Sequence, residues 1–270
     1  MTSGTATSDL SGGSALMVQI SAMAGRSIIR LVRQPAAIVP SLIFPIFLLA
    51  VNVGGLDSAT DLPGFPTDSY ITFALAFTFI QSAIFATMRA GEGLAQDIEN
   101  GFFNRLILTP MRPSALMAGQ LVGLVLLGQL QALLYLAIGY AAGADFESGI
   151  AGVAVLVVLV SIIAVGFGGI GLVMALRSGS GEAVQGMFPL MFVLLFFSSM
   201  ALPRNLIETT WFRTITDINP VSYLIEAIRS LMMTGWDPHA LIAGFAIAIA
   251  LAIGTIWASG VLLGKRMMRS

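Results

Sequence analysis

The sequence predicts an all-α membrane protein with six transmembrane helices. The chain is 57% hydrophobic and has a mean hydropathy of +0.91, so it carries more apolar surface than a soluble domain of 270 residues can bury. Apolar runs of about 18 residues or more recur along it, and runs of that length are typical of helices that cross a bilayer. These observations predict one membrane domain.

Composition also limits the function classes. The net charge of −1 offers no basic excess for binding nucleic acid. The absence of cysteine excludes disulfides and cysteine–zinc sites but leaves the compartment open. The N-terminal sequence MTSGTATSDLSGGSA has neither a basic region nor an apolar run, so it is not predicted to be a signal peptide. Because Gly, Ser and Thr dominate it, residues 1–14 are predicted to be disordered.

Residues 15–34 predict a helix that precedes the first span. Arg26, Arg30 and Arg33 share one face of this helix, and small or apolar residues share another. That pattern is typical of an interfacial helix whose cations meet lipid headgroups or a partner. A passive membrane anchor is the alternative interpretation.

The membrane domain, residues 35–270, is divided by its apolar runs into six spans. The runs lie at about 36–56, 69–89, 115–142, 150–176, 186–202 and 240–263. Connections on the side of the termini carry ten of the 13 basic residues, and the opposite side carries only Arg204, Arg213 and Arg229. Because basic residues in short loops stay cytoplasmic, both termini are predicted to be cytoplasmic.

The cytoplasmic segment between the second and third spans has an unusual composition. A helix is predicted to continue from the second span through Asp97 and Glu99, to break at Asn100-Gly101, and to resume until Thr109-Pro110. Apolar residues beside charges suit a helix that docks into a groove on another protein. A helix lying on the inner leaflet is the alternative. The candidate docking residues are Asp97, Glu99, Gly101, Phe102, Phe103, Arg105 and Pro110.

The fifth span is short, and an amphipathic segment follows it. One helical face of this segment carries Val221, Leu224, Ile225, Ile228 and Met232. The opposite face carries Glu226 and Arg229, which the spacing predicts to pair. Together with Asn219-Pro220, these residues predict re-entrant short helices covered by protein, and the alternative is a surface helix lying flat on the membrane. Asp237-Pro238 is predicted to cap the last span.

No nucleotide-binding, ion-coupling or catalytic motif is recognisable in the chain. It contains no phosphate-binding loop, and Gly166, Gly168 and Gly171 lie within a span, where glycines let helices pack closely. No Asp, Glu, Lys or Arg lies well inside a predicted span, although polar side chains such as Gln81 could hold Na⁺ in a secondary transporter. Metalloprotease and nucleophile-elbow motifs are absent, so neither an enzyme nor a metal site is predicted.

Two aromatic rows are candidates for a substrate path. Phe73, Phe77 and Gln81 recur every four residues in the second span, and Phe188, Phe192 and Phe196 do so in the fifth. Aromatic rings with one amide suit an amphipathic, largely apolar substrate. Helix packing or lipid contact is the alternative explanation.

Two stretches resemble a known family. They are ENGFFNRLILTPMRPSALMAGQ, Glu99 to Gln120, and NPVSYLIEAIRSLMMTG, Asn219 to Gly235. In their sequence and in their places within a six-span layout they resemble bacterial ABC exporter permeases of the second type, and most closely the daunorubicin-type drug exporters. Gln120 departs from the pattern, since many relatives carry Lys there.

The resemblance implies a fold and a mechanism for the whole chain. The segment between spans two and three would be a coupling helix against a separate ATP-binding subunit, and the N-terminal helix would pack near it. Two permease chains and two ATPase chains would form one exporter of the bacterial plasma membrane. ATP and Mg²⁺ would be bound by the ATPase, with no cofactor in this chain. The second and fifth spans would line a path for drugs, lipids or glycan precursors between the two permeases.

Overall fold

A computed structural model describes residues 12–33, 35–107, 113–144 and 146–268, and these residues form helices and connections without a β-strand. Most of the segment predicted to be disordered, residues 1–11, lies outside the described residues. The helices are α1 (Gly12–Arg33), α2 (Pro35–Leu56), α3 (Tyr70–Glu99), α4 (Phe102–Ile107), α5 (Pro113–Ala141), α6 (Gly149–Ser178), α7 (Gly181–Gln185), α8 (Phe188–Phe196), α9 (Thr210–Ile218), α10 (Pro220–Arg229) and α11 (Pro238–Met267).

Five of the described helices are long and apolar enough to cross a membrane, namely α2, α3, α5, α6 and α11. They correspond to five of the six predicted spans. The remaining predicted span, residues 186–202, contains the nine-residue helix α8, which follows the five-residue α7. By length and composition, therefore, the described residues contain five candidate spans and one shorter apolar segment.

Helix α3 lies at the centre of the bundle. It packs against α2, α5, α6, α8 and α10. In its apolar 18-residue stretch, 89% of the residues are buried. Between Tyr70 and Met88 it carries no charged side chain. Neighbouring helices can therefore cover all of its faces, as is typical of a helix without a polar face. Both α4 and the α8–α10 region are positioned against this one helix.

Glycines allow the helices around α3 to approach closely. An added Cβ on Gly171 of α6 would run into the carbonyl of Thr87 on α3, while Gly168 faces α5 and Gly166 faces α11. Each glycine of this group thus contacts a different neighbouring helix. The prediction that these residues serve helix packing is confirmed.

The two predicted helix features near the last span are also confirmed. The apolar face of α10 is buried from Val221 to Ile228, as its periodicity predicts. The side chain of Asp237 accepts hydrogen bonds from the backbone N–H groups of His239 (2.9 Å) and Ala240 (3.4 Å) and so caps α11.

Candidate functional site

The end of α3 that carries Glu99 is built around a sharp break in the backbone. Helix α3 ends at Glu99, and Gly101 adopts φ +66°, a left-handed conformation that suits glycine. Helix α4 then begins at Phe102 in a new direction. The break predicted at Asn100-Gly101 is therefore confirmed.

One arginine joins three helices at this end. Arg26 of α1 donates from Nη2 to Oδ1 of Asp97 (2.7 Å) and from Nη1 to Oδ2 (3.1 Å), a two-point contact with α3. The same guanidinium lies 4.1 Å from the ring centroid of Phe102 in α4, a cation–π distance. Asp97 is 4% exposed, so the carboxylate side of this ion pair is buried. We call this arrangement the arginine joint.

The other candidate docking residues divide between the interior and the surface. Phe103 is only 1% exposed and packs in the chain's own core, rather than being open to a partner. Glu99 accepts a hydrogen bond from the backbone N–H of Gly181 (2.8 Å), which ties α3 to α7. Arg105 is exposed and donates to the carbonyl of Asn100 (3.5 Å). Pro110 lies outside the described residues.

The arginines of α1 have different surroundings. The side chain of Arg26 is 36% exposed despite its contacts, and Arg33 is exposed. The side chain of Arg30 lies outside what the structure describes. The outer surface of this end therefore presents Arg105, the remaining face of Phe102 and part of Arg26.

At the opposite end of α3, a buried arginine is fixed by backbone carbonyls. Arg229 of α10 donates from Nε to the carbonyl of Phe73 (3.1 Å), from Nη1 to that of Ser199 (2.5 Å) and from Nη2 to that of Met200 (2.7 Å). Its guanidinium also lies 3.4 Å from the ring centroid of Phe73. These contacts connect α10, α3 and the chain that leaves α8.

The predicted pairing of Glu226 with Arg229 is wrong. Glu226 Oε1 lies 2.6 Å from Nε of Arg204, and Arg229 turns inward to the carbonyls. Helical spacing places the two residues on adjacent positions, but three carbonyls from distant parts of the chain compete for the guanidinium. The acid therefore pairs with Arg204, whose side chain is 21% exposed.

Burial shifts the protonation equilibria of these groups. It lowers the pKa of Arg229 to about 9, although the charge of Glu226 opposes the change. Burial also raises the pKa of the Glu226 carboxyl, and Arg204 opposes that change. With Glu226 and Arg204, Arg229 lines a cavity of about 380 Å³.

Asn219 and Pro220 fix the start of α10. The Asn219 side chain accepts from the backbone N–H of Val221 (2.9 Å), and its amide donates to the carbonyls of Leu194 (2.6 Å) and Phe197 (2.9 Å) at the end of α8. Pro220 occupies the first helical position, where no N–H is needed. The predicted segment therefore bonds back onto the end of the short apolar helix.

The second predicted aromatic row lies on a partly exposed surface. Ring centroids of Phe188 and Phe192 are 4.7 Å apart, and those of Phe192 and Phe196 are 6.2 Å apart. Phe44 of α2 and Phe85 of α3 join them, each with its ring centroid within 6.5 Å of the Phe192 centroid. Phe44 is 37% exposed and Phe196 is 53% exposed. We call these five residues the aromatic face.

The first predicted row does not share this surface. Phe73, Phe77 and Gln81 are each at most 1% exposed and lie inside the bundle, and the Gln81 amide has no hydrogen-bond partner among the described residues. A four-residue step advances a helix by about 40° beyond a full turn, so this row winds from the core and reaches the aromatic face only at Phe85. Sequence reasoning missed Phe85, although it continues the same four-residue series.

Comparisons with known proteins add independent findings. The family described as ABC-2 type transporter matches residues 18–233 of this chain. The chain is also 30% identical over 171 residues to the daunorubicin resistance ABC transporter permease protein DrrB1 of Streptomyces coeruleorubidus. The aligned part is 62% of this chain and 59% of that relative, so the chain spans less than two thirds of the relative's length.

Proposed function

The chain belongs to the ABC-2 type transporter family, and from this premise we propose that it is the permease subunit of an ATP-driven exporter. The membership confirms the predicted resemblance and makes the chain a multi-pass transport permease. In the proposal, a separate subunit hydrolyses ATP and holds the nucleotide and Mg²⁺. The permease moves an amphipathic drug-like or lipid-like substrate out of the cytoplasm.

The arginine joint is the observation that carries this proposal. A partner that pushes on α4 acts on Phe102, and Phe102 lies against the guanidinium that also holds Asp97 of α3 and belongs to α1. Movement of one short helix is therefore passed to the central helix of the bundle. The exposed Arg105 on α4 provides a charge that fixes the register of docking.

Contacts at both ends of α3 support six crossings with both termini in the cytoplasm. Helix α3 has 30 residues and is about 45 Å long, which is enough to cross a bilayer. Segment 181–201 contacts both ends of α3. Gly181 donates a hydrogen bond to Glu99, the last residue of α3 (2.8 Å), and the hydroxyl of Tyr70, the first residue of α3, donates to the carbonyl of Ala201 (3.2 Å). We propose that this segment, although its helices are short, is the sixth crossing and that α9 and α10 are re-entrant.

The assembly we propose contains two copies of the ATPase and a second permease chain in a bacterial plasma membrane. The relative's printed name concerns daunorubicin resistance, which makes efflux of an amphipathic compound the favoured transport reaction. The aromatic face is the surface that suits such a substrate, because aromatic rings offer large apolar contacts.

Co-purification tests the coupling part of the proposal. The chain is co-expressed with an ABC ATPase subunit of the same organism, purified from membranes, and scored for bound ATPase and for ATP hydrolysis. We expect a stable complex, and we expect R105E to reduce the bound ATPase about tenfold, the effect of reversing a rim charge on a docking helix.

The matched control is R213E, because Arg213 is exposed on α9, far from α4 along the chain. It should retain the full amount of ATPase. Equal binding by both variants would remove α4 as the docking surface. Transport driven by an ion gradient in vesicles that contain only this chain would contradict the proposed function as a whole.

A further inference from the structure

The guanidinium of Arg89 lies at one end of the aromatic face. Arg89 lies one helical turn beyond Phe85 on α3, and its Nη1 donates to the hydroxyl of Ser41 on α2. Ser41 in turn lies three residues before Phe44, the aromatic residue that α2 contributes. The two helices that present Phe85 and Phe44 therefore also place a guanidinium next to them.

The anchor of Arg89 is held in place from a third helix. The amide of Gln131 on α5 donates to the carbonyl of Ser41 (3.2 Å), and so does the hydroxyl of Tyr135 (3.2 Å). Gln131 and Tyr135 are buried, and Ser41 is 2% exposed. The position of Arg89 Nη1 is thus set by a buried polar cluster rather than by solvent.

The other edge of the guanidinium has no hydrogen-bond partner among the described residues. Its Nε and Nη2 atoms are both buried. The ion pairs of the described residues do not include Arg89, although Glu92, one turn further along α3, acts on it electrostatically. Buried donors without a partner are rare and costly, so such an edge calls for an explanation.

The geometry of this edge specifies a ligand. Nε–H and one N–H of Nη2 point in parallel, which matches the two oxygens of a carboxylate or phosphate group. We propose that Arg89 and the aromatic face together bind a transported amphiphile that has an apolar body and a carboxylate or phosphate head. The rings receive the body and Arg89 receives the head. The inference rests on the proposed transport function and narrows its substrate class.

Photolabelling tests the inference without the ATPase. The purified chain in phosphatidylcholine nanodiscs is labelled with a diazirine derivative of dodecanoate, and mass spectrometry locates the adducts. We expect adducts on the aromatic face. Dodecanoate and dodecyl phosphate should suppress labelling at about tenfold lower concentration than dodecanol, which is the effect expected for hydrogen bonds to a charged group. Dodecylamine should compete no better than dodecanol.

Variants of Arg89 separate its charge from its geometry. R89Q should abolish the advantage of the anionic competitors over dodecanol, while R89K, which keeps the charge without the two-donor edge, should retain part of it. R177Q is the control, because Arg177 is an exposed arginine at the end of α6, and it should behave like the unmodified chain. If R89Q does not fold, the order of competitors in the unmodified chain still decides the question.

Several outcomes would overturn the inference. Equal competition by the acid, the alcohol and the amine would remove the anionic head. Adducts confined to other helices, or cross-links from the aromatic face to a second copy of the chain, would assign this surface to another occupant. Complete suppression of labelling by phosphatidylglycerol in the nanodisc would identify a resident lipid instead of a cargo. A chain that binds its ATPase but gives any of these results would refute the inference and leave the proposed function intact.

Discussion

The two ends of α3 are held by arginines in opposite ways. At the outer end by the proposed topology, Arg229 is buried and donates to three backbone carbonyls. At the other end, Arg26 is 36% exposed and contacts one carboxylate and one ring. Backbone carbonyls cannot move without moving the helices that carry them, whereas a partly exposed side-chain pair can re-form in a second arrangement. We infer that one end of α3 is fixed and the other is adjustable.

This difference fits a transporter whose driving subunit acts from one side. If a partner moves α4, the contacts of Arg26 must be able to rearrange. The contacts of Arg229 must hold the other end of α3 in place, so that the movement tilts α3. The glycine contacts between α6 and α3 lie between the two ends. These contacts hold α3 against α6.

Loss of the contacts of Arg229 should have the largest effect on stability. R229A should destabilise the protein by about 3–5 kcal/mol, because three backbone carbonyls lose their charged donor and Glu226 loses a neighbouring cation. Thermal unfolding of the detergent-solubilised chain, followed by size-exclusion chromatography, measures the loss. R213A, an exposed arginine of α9, is the control and should change stability by less than about 0.5 kcal/mol. Equal losses in the two variants would show that the carbonyl contacts do not fix this end.

The middle of α3 should be the next most sensitive region. G171A adds a methyl group directed at the carbonyl of Thr87 and the backbone nitrogen of Gly91. Backbone cannot rotate away, so we expect a loss of about 1–3 kcal/mol in the same unfolding assay.

Gly254 of α11 provides the matched control for Gly171. An added Cβ there meets no atom within 4 Å, so G254A should be neutral or stabilising by about 0.5–1 kcal/mol. If G171A is as stable as G254A, the contact between α3 and α6 is looser than the structure indicates.

Much of this architecture follows from the sequence, and the reasons differ by element. Apolar runs predicted five long helices because burial in lipid requires length and composition alone. The buried face of α10 followed from its 3.6-residue period. The partner of Arg229 did not follow, because carbonyls of Phe73, Ser199 and Met200 come from other parts of the chain. Local spacing therefore favoured Glu226.

The candidate site was predicted less completely for the same reason. Asp97, Phe102 and Arg105 were identified from their composition, but the spacing could not show that Phe103 turns inward or that Arg26 reaches Asp97. Phe44 and Phe85 were missed, since the aromatic face forms only where three helices meet. Sequence periodicity specifies one helix at a time, and contacts between helices need the fold.

Disruption of the adjustable joint should affect function more than stability. R26Q should lower substrate-stimulated ATP hydrolysis by the complex about tenfold, within the range of coupling between linked sites. The loss of stability should stay smaller than in R229A, because the glutamine can still donate a hydrogen bond to the buried Asp97 carboxylate and the replaced side chain is 36% exposed.

A double-mutant cycle sharpens this prediction. D97N alone should resemble R26Q, and the double variant should be no worse than either, because both changes remove the same contact. R177Q, another exposed arginine, controls for loss of charge. Additive losses from R26Q and D97N would mean that the two residues act separately.

The smallest effect is expected at the contact between α3 and α7. E99Q keeps an acceptor for the Gly181 N–H but removes its charge, so stability should fall by less than about 1 kcal/mol. The unfolding assay used for R229A measures it. A loss as large as that of R229A would show that this end is fixed too and would remove the contrast between the two ends.

Cysteine cross-linking tests the central claim that a cytoplasmic ATPase subunit binds α4 and moves it. The chain contains no cysteine, so R105C creates a single reactive site. In membrane vesicles of known orientation that contain the ATPase subunit, a bifunctional maleimide and amine cross-linker should join R105C to that subunit. A membrane-impermeant maleimide applied from the outside should leave R105C unlabelled. Labelling from the outside, or an absence of any adduct with the ATPase, would contradict the account.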